Sequence, residues 1–299
     1  MFTSILIPLD GSRFAESALG PGLALSRATG AAVHLATVHE PVPSFSYDEW
    51  ESAAWDWSED YVGKVGTRAA THAGGPVDAW VGSGRVVDCL TLRADAVKAD
   101  LIVMATHGRG ALTRAWLGST ADAFLRHAHQ PVLLVRPDED EGVTPGDDLT
   151  FGRILVPLDG SPLSETELDL AKGLAKLFDA ELLLVRIVAY PVEIASPYLP
   201  HTVQMNQQIV DEAKSVAHRY LHDAAASLQA EGFRVRTFVK VDAQPGHAIA
   251  RVVEEEDADM VVMATHGRGG LQRALLGSTT DKVIRSVHVP VLVRRPASD

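Results

Sequence analysis

The strongest constraint on the fold of this chain is an internal repeat. Ile5-Leu6-Ile7-Pro8-Leu9-Asp10-Gly11-Ser12 returns as Ile154-Leu155-Val156-Pro157-Leu158-Asp159-Gly160-Ser161, with one conservative change in eight positions. A longer block, Leu101 to Pro137, aligns without gaps to Met260 to Pro296 and is identical at 23 of 37 positions. The offset, 149 residues at the first block and 159 at the second, is far too long for a solenoid unit and is the size of a domain. The sequence therefore predicts a duplicated domain, with residues 1–137 as the first copy, 138–151 as an acidic Pro/Gly-containing linker and 152–299 as the second. The ten extra residues fall where the copies look least alike, at roughly 41–80 and 190–240, as expected of a variable lid or surface element.

With 299 residues, 46% of them hydrophobic, there is enough apolar material for two cores. A net charge of -12 argues against partners such as nucleic acid or an anionic membrane. It does not exclude a phosphate ligand, because main-chain N–H groups can hold one without a basic surface. Cys89 is the only cysteine, which fits a reducing compartment and rules out an intrachain disulfide or a cysteine metal cluster. The N-terminal apolar run is broken at once by Pro8, and no run approaches a membrane span of about 20 residues. The expected location is cytoplasmic.

Each copy opens with a buried strand that ends at Pro-Leu-Asp-Gly-Ser, so Ser12 and Ser161 are expected to cap the following helices. Gly20-Pro21-Gly22 should interrupt the first of these. Second strands are expected at Val33–His39 and Glu181–Val188. The runs Asp100–Met104 and Asp259–Met263 read as central parallel strands, preceded by helices at about 85–98 and 245–257. After each come a glycine-containing loop, a short helix from Ser119 or Ser278, and a last strand, Pro131–Arg136 or Pro290–Arg294. This alternation predicts α/β domains, each an open parallel sheet with helices on both faces.

Ligands of such sheets sit beyond the carboxyl ends of the strands, where strand order reverses. Two segments stand there in each copy: Pro8-Leu9-Asp10 with Ala105-Thr106-His107-Gly108, and Pro157-Leu158-Asp159 with Ala264-Thr265-His266-Gly267. Gly118-Ser119-Thr120 and Gly277-Ser278-Thr279 then open the next helix. Glycines at 108 and 118 allow close backbone approach, and positive φ if needed. The free amides and dipole of the helix entrance face an anion, and the Ser and Thr hydroxyls add donors. A single Gly-Ser-Thr is ordinarily an N-capping turn. Its recurrence at a fixed distance from a strand-end glycine favours an anion site. Asp10 and Asp159 fit a turn, or a carboxylate that meets an adenine amine or a ribose hydroxyl.

The Pro-x-Asp strand end, the Gly-x9-Gly-Ser spacing and the Pro-Val-Leu last strand resemble the universal stress protein family, in its tandem two-domain form. The resemblance implies two tandem parallel five-stranded sheets of order 3-2-1-4-5, an adenine nucleotide alpha hydrolase-like fold, with ATP between the first and fourth strands. It implies that Pro8, Asp10 and Val38 face base and ribose, and that Met104, Ala105, Gly108, Gly118, Ser119 and Thr120 face the phosphates. The second-copy set is Pro157, Asp159, Ile187, Met263, Ala264, Gly267, Gly277, Ser278 and Thr279. Mg2+ would arrive with the nucleotide and not on protein side chains. Ala105 and Ala264 stand where the family motif has its first glycine, which would weaken binding if the backbone there touches phosphate. The family's last strands pair across a pseudo-two-fold axis, so Leu133–Val135 is expected against Leu292 and Val293, making an intrachain pseudo-dimer; two chains would then form a homodimer.

His107, Arg109, His266 and Arg268 could reach phosphate or solvent equally well. No carboxylate–His pair marks a general base, so the expected role is nucleotide-dependent regulation and not a fast enzyme; AMP, ADP or a signalling dinucleotide would suit the same pocket. The segment Phe45, Tyr47, Trp50, Trp55, Trp57 and Tyr61 reads as an amphipathic lid packing its rings on the sheet edge or the other domain. The second copy is expected to have a long packing helix at about 203–230 in its place. The alternatives are a nucleotide-free interaction protein acting through this lid, and a slow ATP hydrolase.

Overall fold

The structure is a computed structural model of the chain that describes residues 1–41, 48–106, 118–137, 149–189, 202–265 and 276–295. The chain falls into two compact units. One runs from Met1 to Thr150 and takes in the segment from Pro290 on; the other is Phe151–Val289.

The first unit alternates strand and helix as the periodicity predicts: β1 (Ser4–Leu9), α1 (Arg13–Glu16), α2 (Leu19–Thr29), β2 (Ala32–His39), α3 (Asp48–Ala70), β3 (Val77–Ser83), α4 (Val86–Ala96), β4 (Leu101–Ala105), α5 (Ser119–His127) and β5 (Val132–Val135). The strands lie in the order β3-β2-β1-β4-β5, all parallel. The second unit repeats the plan with β6 (Arg153–Pro157), α6 (Pro162–Phe178), β7 (Glu181–Ala189), α7 (Thr202–Ala230), β8 (Val235–Asp242), α8 (Pro245–Glu255), β9 (Met260–Ala264) and α9 (Ser278–Ser286). Its strands run β8-β7-β6-β9. The last strand, β10 (Val291–Arg294), is grouped with the first unit and pairs antiparallel with β5, Val291↔Leu134, Leu292↔Leu133 and Val293↔Val132.

Ile5, Leu6 and Ile7 of β1 are fully buried, as are Leu101, Ile102 and Val103 of β4, which is why both read as unbroken apolar runs. Right-handed crossovers place α1, α2 and α3 on one face, because β1, β2 and β3 step in one direction; β3, β4 and β5 step back, placing α4 and α5 on the other. Gly22 of α2 sits directly on Ile7 and Val103, where an added Cβ would stand 2.5 Å from Ile7 Cδ1. The order reverses between β1 and β4, so that is where the sheet opens.

Pro8 helps to open it. The Ser4 carbonyl accepts the Asp100 N–H at 2.9 Å, so alternate residues from Ser4 turn their backbone groups towards β4. Pro8 is one of them and has no N–H to give. The β1–β4 ladder ends accordingly at Leu6↔Ile102. The second unit does the same: Arg153 accepts from the Asp259 N–H at 2.9 Å, the ladder ends at Leu155↔Val261, and Pro157 is the next residue on that side.

Ser12 and Ser161 cap as expected, accepting from the N–H groups of Ala15 and Ser164. The break in the first helix, however, precedes Pro21. The chain leaves helix at Ser17-Ala18 and restarts, so Pro21 lies in the first turn of α2, where an N–H would have no partner in the helix. The aromatic lid also differs from expectation. Helix α3 seats Val62, Val65 and Ala69 in the core, while Trp50 and Trp57 remain 55% and 47% exposed. Phe45, Tyr47 and linker residues 138–148 lie outside the described residues.

Candidate functional site

A cleft of about 900 Å³ opens at the carboxyl ends of β1, β2 and β4 in the first unit. Seven of the residues singled out from sequence line it: Pro8, Asp10, Val38, Met104, Ala105, Gly118 and Thr120. Ser119 opens α5 beside them. Gly108 and Gly267 lie outside the described residues, as do His107, Arg109, His266 and Arg268.

Asp10 serves two purposes. Its Oδ1 accepts from the Ser12 N–H (2.9 Å) and the Ser12 hydroxyl (2.6 Å), an Asx turn that sets up the α1 cap. The same side chain faces the cleft. Asp159 repeats the turn, accepting the Ser161 N–H at 2.9 Å. The residue that makes the capping turn thus also lines the cleft.

The entrance of α5 is built as an anion would require. The Gly118 N–H donates to the Thr106 carbonyl at 2.8 Å, bringing the helix start back to the end of β4. Gly118 is the N-cap and has no side chain with which to cap the first turn. Gly277 does the same for α9, donating to Thr265 at 2.7 Å. Positive φ is not the reason for either glycine: φ is -55° at Gly118 and -62° at Gly277. In the second unit, Pro157, Ile187, Met263 and Ala264 occupy the matching strand ends, and Ser278 and Thr279 open α9.

Three features of the site were not legible in advance. Thr37 and His39 flank Val38 on β2 and both line the cleft. The available signal was a polar pair continuing the stripe of buried Val33 and Leu35. Thr37 is 3% exposed, and neither its Oγ1 nor the buried Nε2 of His39 has a hydrogen-bond partner among the described residues. The third feature is a tyrosine tether. The Tyr61 hydroxyl on α3 donates to Glu16 of α1 at 3.1 Å, and Tyr220 on α7 donates to Glu165 of α6 at 3.1 Å. Burial, and then the charge and hydrogen bond of Glu16, push the Tyr61 phenol well above its ordinary value, with Asp10 adding to the effect. Burial and then Glu165 push Tyr220 up to about 12, with Asp159 contributing. The tether therefore stands within electrostatic reach of the strand-end aspartate in both units.

Among the described residues no three His, Cys, Asp or Glu side chains gather in a way that could hold a metal, and no helix is long and apolar enough to cross a membrane.

Residues 1–136 and 150–295 each match the model of the universal stress protein family. A universal stress protein of Mycobacterium tuberculosis is 31% identical over 201 residues, 66% of this chain and 62% of that protein. The chain thus spans less than two thirds of that relative's length. One from Thermus aquaticus is 36% identical over 137 residues, 46% of this chain and all of the relative. The crystal structure of a universal stress protein from Archaeoglobus fulgidus superposes with a TM-score of 0.71 at 21% identity, covering 98% of this chain and 96% of that one, which is a likeness of fold.

Proposed function

Because the chain belongs to the universal stress protein family, we propose that the first cleft binds an adenine nucleotide, ATP in the leading case, and that occupancy is a regulatory signal in a stress response, with little or no turnover. One observation carries the reading: residues far apart in sequence, chosen for base, ribose and phosphate, line one cleft at the point where strand order reverses. The second unit holds the matching set and is read as a second nucleotide site. Mg2+ would come bound to the phosphates. The same reading places the protein in the cytoplasm and includes an intrachain pairing of the two halves and association of two chains, which light scattering on the purified protein measures.

Titration with ATP tests it. At a concentration of 100 times Kd, ATP should stabilise the fold by about 2.7 kcal/mol, and inorganic phosphate should not reproduce the effect. No rise in melting temperature at millimolar ATP overturns the reading. All five tryptophans, Trp50, Trp55, Trp57, Trp80 and Trp116, belong to the first repeat, so tryptophan fluorescence reports that copy alone, while calorimetry counts both. The exposure of Trp50 and Trp57 favours a second reading, a nucleotide-free protein that docks a partner on α3; it predicts no ATP response in either measurement.

A further inference from the structure

We propose that Thr37 and His39 are specificity-determining residues of the first cleft, a side-chain pair that reads the nitrogen-bearing edge of a planar ring. The proposal rests on the nucleotide reading above and assigns the side chains that choose the base.

Residues two apart on a strand share a face, so Thr37 and His39 extend the face of Leu35, which packs on α3 at Gly66; an added Cβ there would stand 3.9 Å from Leu35 Cδ1. A buried hydroxyl and a buried ring nitrogen without partners weigh against folding, whereas alkyl groups of the same shape would not. Such groups, found in a cleft, point to a ligand that satisfies them. The position of His39 is fixed. Its carbonyl accepts the Gly84 N–H at 3.0 Å, and Gly84 holds φ +135°, a conformation that favours glycine. Its ring lies 6.5 Å from that of Trp50, tilted by 51°.

The surroundings select the kind of group. Leu9, Ala15, Ala54 and Trp57 supply apolar wall, and the charged side chains among the described lining residues are acidic, Asp10 and Glu40. An apolar wall of this kind suits a flat neutral ring. The threonine hydroxyl donates and accepts, and the imidazole Nε2 does either according to tautomer. Together they match an exocyclic amine beside a ring nitrogen. The second repeat cannot form this pair, because the offset of 149 residues puts Arg186 and Val188 at these positions. The Arg186 guanidinium lies 4.8 Å from the centre of the Tyr220 ring.

The test uses the full chain, titrated with ATP and with inosine triphosphate, in which a carbonyl replaces the amine; binding is read by tryptophan fluorescence and stability by melting without ligand. Thr37→Val should weaken ATP binding about tenfold and narrow the preference for ATP, while the ligand-free melting temperature holds or rises. Thr37→Ser should restore affinity. His39→Phe should behave like Thr37→Val, and His39→Gln should recover part of the loss. If wild type binds ATP and both Thr37→Val and His39→Phe bind it as tightly, or if wild type does not prefer ATP to inosine triphosphate, the inference is overturned and the nucleotide reading stands. Variants that lose melting temperature in step with affinity make the pair a packing element, which also overturns it. A wild type that answers to neither nucleotide overturns both.

Discussion

The two repeats keep the same frame and differ along one strand. Both hold a proline where the first strand parts from the fourth, an aspartate in an Asx turn, a capping serine and a glycine N-cap at the last helix. Beside Val38 and Ile187, however, Thr37, His39 and Glu40 of the first copy are replaced by Arg186, Val188 and Ala189 in the second. The lid helices diverge likewise. Trp50 and Trp57 on α3 have no tryptophan counterpart on α7. What was kept is what opens the sheet and bares a helix entrance; what changed is what a ligand's ring would touch. Duplication has preserved the strand end and the helix entrance and changed the neighbours of Val38 on β2.

The largest expected effect separates the copies at their glycine-capped helix entrances. Gly118→Asp should reduce ATP affinity at the first cleft by about 100-fold, since its carboxylate takes the amides a phosphate would use. The helix itself should survive, because aspartate is a favourable N-cap. Gly277→Asp should leave the fluorescence titration unchanged and remove only heat from the calorimetric one. If Gly118→Asp leaves fluorescence-detected binding intact, the α5 entrance is not the phosphate site.

Next in size is an exchange of the base ends. Thr37→Arg with His39→Val gives the first cleft the second copy's residues, and should cost about tenfold in ATP affinity. Affinity unchanged after the exchange would mean that the divergence along β2 and β7 is neutral for binding.

The shared tyrosine tether is worth less. Tyr61→Phe removes a hydrogen bond to a carboxylate that also receives Arg68 at 2.6 Å, and should lower unfolding stability by about 1 kcal/mol. Chemical denaturation checks this, and the same loss is expected of Tyr220→Phe. The smallest effect is in alkali. The folded state holds the Tyr220 proton up to about 12 against an ordinary value of 10. The associated stability is therefore full below pH 10 and is lost as pH rises towards 12. Tyr220→Phe should show a shallower fall over that window, moderated by solvent because the ring is only partly buried. An identical slope in the two proteins would remove the tether from the account.

The frame was legible because its signals are local and came twice. Asp-Gly-Ser marks a strand end and a cap in eight contiguous residues, and the apolar runs of β1 and β4 admit one reading. The strands β3 and β8 were not picked out from periodicity. Val77–Ser83 carries Asp78, Trp80 and Gly82 with one residue buried, as an edge strand does when one side faces water. The tether was hidden for a different reason. Glu16 and Glu165 are 149 residues apart but Tyr61 and Tyr220 are 159 apart, so the insertion falls between the partners and breaks the alignment that would have matched them. At Gly118 the backbone angles, with φ at -55°, suit any residue, so positive φ does not account for that glycine.

The antiparallel union of β10 with β5 bears on how the protein is made. Val132 and Val293 pair although they stand 161 positions apart in the chain, so on the ribosome the β5 edge waits, unsatisfied, while a whole second α/β unit is synthesised. An exposed apolar edge of this kind invites pairing with a neighbouring nascent chain. Completion of the first half thus depends on the last stretch of the second, and slow elongation through the second repeat should raise the demand for chaperones.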